Sequence, residues 1–148
     1  MSFASRWVVF REFAVGPDDF DSDGVVRAAT VERWMDETRA AYLERCVVLR
    51  ELQERSGLEL RARVHQAPAP ERFGQPTELI VGAGATEIRP TSFTIALRLR
   101  PTGGDVDAAV NAAYEVSLED PQTGEARELG TDIRDELIAL EHAASYVV

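Results

Sequence analysis

Cysteine occurs once in this chain, at Cys46, which excludes an internal disulfide and a zinc site built from several thiolates. Histidine occurs only at His65 and His142, and no ligand cluster for a metal can be read from the sequence. Long apolar runs are missing too. Trp7-Val8-Val9-Phe10 is followed at once by Arg11 and Glu12, giving neither a signal-peptide core nor the roughly twenty apolar residues of a membrane span. A soluble, cytoplasmic protein is expected. Basic residues are outnumbered, 16 against 26 acidic ones, and the net charge of −10 argues against a sequence-independent grip on nucleic acid. A local basic groove for a nucleotide phosphate remains compatible with that balance. The 148 residues hold no internal repeat or low-complexity tract and suit a single domain, 1–148, with a substantial core.

What is present is a clear change of period along the chain. Trp7 to Val15 is mainly aromatic and β-branched, with Trp7, Val9, Phe13 and Val15 on one face of an expected strand that Gly16-Pro17 ends. From Val31 the apolar residues recur every three or four positions, through Trp34, Met35, Thr38, Tyr42, Cys46, Leu49 and Leu52. That is the stripe of a long helix over about 28–55, with a division expected near Cys46-Val47-Val48 and a stop at Ser56-Gly57. The period then becomes two. Leu58, Leu60, Ala62 and Val64 alternate with charged residues, and Gln66 to Thr77 is a proline-rich loop. Glu78 to Arg89 forms the next strand, where Gly82 and Gly84 share a face that a backbone or a ligand could approach. Ser92 to Arg100 and Val110 to Leu118 alternate again, with Phe93, Ile95, Leu97 and Leu99 inward and Thr94 outward, and later Tyr114 inward and Ser117 outward. Thr102 to Asp105 connects these two as a hairpin, Asp120 to Gly124 closes the last strand, and a terminal helix is expected over about 131–143. One long helix followed by strands with short antiparallel connections predicts an α+β domain whose sheet covers the helix stripe.

Between the first strand and the helix lies Asp18-Asp19-Phe20-Asp21-Ser22-Asp23-Gly24-Val25-Val26-Arg27. Four carboxylates crowd just ahead of a helix start, and like charges raise the cost of ionising each of them. The helix end behind them offers free N–H groups and a partial positive charge, suited to holding a carbonyl oxygen as it becomes negative. The plain alternative is a turn, with Asp and Ser oxygens bonding nearby backbone.

Asp19-x-Asp21-x-x-Gly24-Val25-Val26, followed at fixed distance by Arg33-Trp34-Met35-Asp36 and Tyr42-Leu43, resembles the opening of the 4-hydroxybenzoyl-CoA thioesterase family of hotdog-fold proteins. Arg89-Pro90-Thr91-Ser92-Phe93 resembles a second landmark of that family. The likeness runs from about Val8 to Arg134. It implies an antiparallel five-stranded sheet wrapped around a long central helix, and hydrolysis of an acyl thioester carried by CoA or by an acyl carrier protein. It implies Asp21 as nucleophile or general base and the Ala28 backbone N–H as oxyanion donor, with Asp19 and Asp23 shaping the loop. Arg27, Arg89 and Ser92 are the implied substrate contacts. No cofactor is expected. A homodimer or homotetramer with the site between subunits is implied as well.

The departures are as informative. Val25 to Ala29 lacks the histidine, asparagine or tyrosine of many relatives, and the basic cluster that meets the CoA nucleotide is reduced to Arg89 beside Pro90 and Thr91. These changes support an alternative, a catalytically silent hotdog protein that binds an acyl carrier or acts as an oligomeric partner. Glu37, off the buried stripe, is the reserve carboxylate, since another branch of hotdog thioesterases carries its acid on this helix. Neither histidine is placed for the acid-paired histidine of hotdog dehydratases. Cys46 on the apolar stripe is expected to be a buried structural thiol.

Overall fold

Alternating apolar and polar residues build five strands, and they pair into one antiparallel sheet. In the computed structural model, which describes residues 7–104 and 108–145, these are β1 (Val9–Ala14), β2 (Glu59–Gln66), β3 (Glu78–Ile88), β4 (Phe93–Thr102) and β5 (Val110–Glu119). The sheet order is β1-β3-β4-β5-β2. Three helices accompany it: α1 (Ala28–Glu44), α2 (Val47–Ser56) and α3 (Gly130–Ser145). The expected long helix is therefore two, divided at Arg45 and Cys46, where β-branched Val47 and Val48 follow. Gly57 ends α2 at φ 70°, a left-handed conformation in which a side chain would be strained.

The apolar stripe of α1 lies on the inner face of β1 and β3, with Trp34 and Tyr42 fully buried. Each large side chain so buried contributes about 1.5–3 kcal/mol relative to exposure. Phe13 and Phe73 stack around Trp34 at centroid distances of 6.1 and 6.2 Å. Phe73 comes from a 3₁₀ turn, Pro70–Phe73, inside the segment expected to be only a loop. α3 closes the core with Ile133 and Leu137 and matches the expected terminal helix.

Three expectations are corrected. Val64 is 53% exposed rather than half-buried, because β2 is the last strand of the sheet and α1 packs over β1 and β3, at the sheet's other end. Thr94 and Ser117, read as outward, are buried. Arg89 donates to the Thr94 hydroxyl and Ser117 to the Glu119 carboxylate, so their buried polar atoms are satisfied. The close approach at Gly82 and Gly84, expected from a backbone or a ligand, is made by side chains. The Trp7 ring lies where a Gly82 Cβ would be, 2.6 Å from it, and Glu141 lies 2.9 Å from a Gly84 Cβ. Of the expected Thr102–Asp105 connection, Thr102 is the last residue of β4, Gly103 and Gly104 follow it, and Asp105 lies outside the described residues.

Candidate functional site

The acidic stretch folds into a miniature hairpin. Arg27 N–H donates to the Asp19 carbonyl at 2.8 Å, Phe20 bridges Val26, and Asp21 N–H donates to the Val25 carbonyl at 2.8 Å. Asp21 sits at the turn, where its Oδ1 accepts the N–H groups of Asp23 at 2.9 Å and Val25 at 3.0 Å. Its Oδ2 accepts no hydrogen bond among the described residues, and the residue is half-buried. Gly24 completes the turn at φ 79°, and the Gln75 amide lies where a Cβ would stand, 2.7 Å away. A side chain at position 24 is therefore strained by conformation, while the exposed Gln75 side chain would have to swing aside to make room.

The return arm of the hairpin runs directly into α1. Arg27 is the N-cap residue in extended conformation, and its carbonyl accepts Thr30 N–H at 3.0 Å and Val31 N–H at 3.1 Å. No side chain caps this end, and the first turn carries no acid. Ala28 and Ala29 are exposed, and their amides donate to no described residue. Two backbone donors at the positive end of a 17-residue helix thus stand unpartnered among the described residues, directly behind the hairpin.

The four aspartates take different positions. Asp18 and Asp23 are exposed. Asp19 turns inward, its Oδ2 accepting Gly16 N–H at 2.8 Å and its Oδ1 facing the Thr30 hydroxyl at 3.5 Å and Arg33 at 3.6 Å. Arg27 is exposed and its Nε donates to the Asp18 carbonyl at 3.3 Å. Glu37 is exposed on α1.

Arg89 and Ser92 are not brought to this hairpin. The Asp21 loop joins the sheet where Val15 N–H meets the Thr77 carbonyl, just before β3, while Arg89 follows the last residue of β3. Eleven residues of strand, about 33 Å, separate the two ends. At the far end Ser92 is buried and its carbonyl accepts Arg89 N–H at 2.7 Å, forming a tight turn. The Arg89 guanidinium donates to the Thr94 hydroxyl at 3.2 Å and pairs with Glu87. It also lines a cleft of about 190 Å³ with Arg134, Glu128 and the first residues of α3. Arg134, a second cation in this cleft, went unnoticed in the sequence because it is 45 residues from Arg89 and on the solvent side of a helix. Its signal was only the position in the first turns of an amphipathic helix.

Two polar clusters elsewhere were also invisible in the sequence. Tyr114 O–H donates to Asp36 at 2.6 Å, beneath the Arg39 guanidinium 4.7 Å from its ring. Burial and that carboxylate raise the Tyr114 hydroxyl above the ordinary tyrosine value. On α3, Glu136 accepts the Val48 N–H at 3.0 Å and the Leu49 N–H at 3.3 Å, capping α2, and Glu141 accepts the Tyr42 hydroxyl at 2.7 Å and the Ala85 N–H at 3.0 Å. Among the described residues no group of three His, Cys, Asp or Glu side chains could hold a metal ion, and no helix is long and apolar enough to cross a membrane.

Superposition on solved structures identifies the architecture. A thioesterase from Thermus thermophilus, in complex with coenzyme A and zinc, superposes with a TM-score of 0.64 at 23% identity, over 93% of this chain and 97% of that one. The chain has the hotdog fold. The 1,4-dihydroxy-2-naphthoyl-CoA thioesterase of Synechocystis gives 0.63 at 16% identity, over 90% of this chain and 97% of its own. The 4-hydroxybenzoyl-CoA thioesterase of Pseudomonas sp. strain CBS-3 gives 0.63 at 18%, over 86% and 97%. Neither a family model nor a curated protein matches the sequence. The expected fold is thus present, and at these identities the hotdog likeness extends to architecture.

Proposed function

We propose that this hotdog protein hydrolyses an acyl thioester, with Asp21 as nucleophile or general base and the Ala28 N–H as oxyanion donor. One observation carries the proposal: a half-buried carboxylate with a free Oδ2 stands on a hairpin that opens into a helix start whose Ala28 and Ala29 amides are unfilled. As nucleophile, the Asp21 oxygen adds to the thioester carbonyl, the tetrahedral oxygen takes up negative charge against the helix end, and the thiolate leaves. The mixed anhydride that remains is opened by water. As base, Asp21 takes the proton of the attacking water and no anhydride forms. The unfilled amides serve both routes, since neither changes where the oxyanion develops.

CoA is the favoured carrier. Its phosphates would sit against Arg89 and Arg134 in the cleft at the far end of β3, with the buried Ser92 fixing the turn that carries Arg89. In one chain that cleft lies a full strand away from Asp21. The reading therefore places the site between the subunits of a homodimer, where Asp21 of one chain and the Arg89 cleft of its partner would serve one substrate, and β2, an edge strand with Val64 exposed, is available to pair with a second copy.

Thiol release from a panel of short, long and aromatic acyl-CoA esters tests the activity. Asp21→Asn should lower turnover by about 10³-fold or more while leaving the fold intact. Turnover that persists in Asp21→Asn and collapses in Glu37→Gln would move the assignment to Glu37. Absence of turnover with every CoA ester and with acyl carrier protein would leave a silent acyl-carrier binder. Mixing Asp21→Asn with Arg89→Ala chains should restore about one quarter of the parent rate, because half of the dimers are mixed and one site in each is complete.

A further inference from the structure

We infer that Asp19 is a positioning residue: it fastens the Asp21 hairpin to α1 while being held away from the Ala28 and Ala29 amides. The inference rests on the hydrolase reading above for its kinetic consequence, though the geometry it concerns is independent of that reading. Asp19 is bound on every side. Its N–H donates to the Gly16 carbonyl at 3.1 Å, its carbonyl accepts Arg27 N–H at 2.8 Å, and its two carboxylate oxygens are divided between Gly16 N–H, the Thr30 hydroxyl and Arg33. The side chain is only 17% exposed. It therefore ties together the start of the loop, the return arm of the hairpin and the first turns of α1.

A second consequence follows from what Asp19 does not do. A carboxylate beside an uncapped helix start ordinarily accepts the free amides of the first turn, a contact worth about 1 kcal/mol. Asp19 has that opportunity, because its own carbonyl already meets the N-cap residue. Gly16 N–H takes one oxygen instead, and Thr30 and Arg33 hold the other along the flank of the helix. The amides of Ala28 and Ala29 remain available to a ligand. Stability at the helix start is thereby given up, and an open oxyanion site with its carboxylate at a fixed register is retained.

Three variants separate this role from a general contribution to folding. Asp19→Ala removes every side-chain contact. Asp19→Asn keeps an oxygen for Gly16 N–H and an amide that can donate to the Thr30 hydroxyl, and loses only the ion pair with Arg33, whose side chain is 56% exposed. Thr30→Val frees one Asp19 oxygen to swing toward Ala28 and Ala29. With acyl-CoA esters, Asp19→Ala should lower kcat by about tenfold or more with KM changed less than about threefold, since a small displacement of a reacting group acts on the chemical step. Asp19→Asn should stay within about threefold of the parent in both, and Thr30→Val should lower kcat. In parallel, amide hydrogen exchange should quicken at Val25 and Arg27 in Asp19→Ala by about tenfold, with Leu97 and Val116 unchanged, and remain at the parent rate in Asp19→Asn. Unchanged kcat and unchanged exchange in Asp19→Ala would overturn the inference, as would an equal loss in Asp19→Ala and Asp19→Asn. If the parent hydrolyses no thioester, the hydrolase reading fails by itself and exchange at Val25 and Arg27 decides the role of Asp19: acceleration confined to the hairpin upholds it, and no acceleration overturns it.

Discussion

The amino ends of α1 and α2 receive opposite treatment. At α2, Cys46 supplies no side-chain cap, and Glu136 arrives from α3 to accept the Val48 and Leu49 amides. At α1, Arg27 likewise supplies no cap, and although four aspartates precede it, Ala28 and Ala29 donate to none of them. The chain thus brings a carboxylate across 88 residues to close one helix end, and withholds one that is nine residues away from the other. The closed end is shut in by α3, whereas the open end faces solvent beside a half-buried carboxylate. Free backbone donors at a helix end cost stability, so an end left open next to a carboxylate points to use by a ligand.

The strongest way to break this contrast is to close the open end. Arg27→Asp places a carboxylate at the N-cap, within reach of the Ala29 or Thr30 N–H, and puts negative charge where an oxyanion has to form. Turnover of acyl-CoA esters should fall by about 10²-fold, the scale of losing one oxyanion donor. The same variant should gain about 0.5–1 kcal/mol of stability in urea denaturation, because a capped helix end replaces a bare one. Arg27→Gln removes the charge without adding an acid and should show neither gain in stability nor the full loss in rate. An Arg27→Asp protein that turns over like the parent would remove the open end from the mechanism.

Opening the closed end is the converse. Glu136→Ala should cost about 2 kcal/mol, since the half-buried amides of Val48 and Leu49 lose their acceptor, and Glu136→Gln about half of that, since its amide oxygen can still accept. Urea midpoints with unchanged slope would measure both. Turnover should stay within about twofold of the parent, because Glu136 bonds the amino end of α2 and, among the described residues, no hydrogen bond links it to the hairpin. A folded Glu136→Ala protein as inactive as Asp21→Asn would mean that the two helix ends are coupled, and the contrast between a structural and a functional end would be lost.

Much of the contrast was legible beforehand, but unevenly. The division at Cys46 showed in the run of β-branched residues, and the stripe from Val31 to Leu49 follows from spacing, because both are local properties of the chain. The position of Asp21 ahead of a helix start was equally readable. Its bonds to Asp23 and Val25, and the inward turn of Asp19, depend on hairpin geometry that residue types do not specify. Glu136 looked like any acid on the polar side of a helix. Its partner amides lie 88 residues earlier, and no periodicity links the two. Phe73 was hidden for a different reason: prolines at 68, 70 and 76 marked a loop correctly, and a single aromatic in a loop carries no signal of the Trp34 pocket that receives it. Arg134 and Arg89 share a cleft only after α3 folds back across the end of β3.

The finest discrimination between the two ends is in their response to alkali. Cys46, the N-cap residue of α2, is fully buried with its thiol on the Tyr42 carbonyl at 3.7 Å, and burial, reinforced by Glu136 and Glu141, pushes the thiol up from 9.0 to about 12. An acid whose folded value is raised stabilises the fold below its unfolded value and ceases to do so as pH climbs through the folded one. Between pH 9 and 12 the unfolded chain releases the Cys46 proton and the native protein does not, so stability should fall by up to about 1.4 kcal/mol per pH unit on this account. Tyr42, raised by burial and by its bond to Glu141, and Tyr114, raised by burial and by Asp36, add slopes of their own as pH approaches their unfolded value of 10.0. The chain has no lysine, so side-chain amines do not obscure the interval from pH 9 to 10. Urea midpoints at pH 8 and pH 10 should therefore show a loss of about 2 kcal/mol in the parent, of which Cys46→Ala removes more than half and leaves the share of Tyr42 and Tyr114, while Asp21→Asn retains it in full. Equal losses in the parent and in Cys46→Ala would mean that the thiol ionises as readily in the fold as out of it, and that the amino end of α2 is no more closed to water than that of α1.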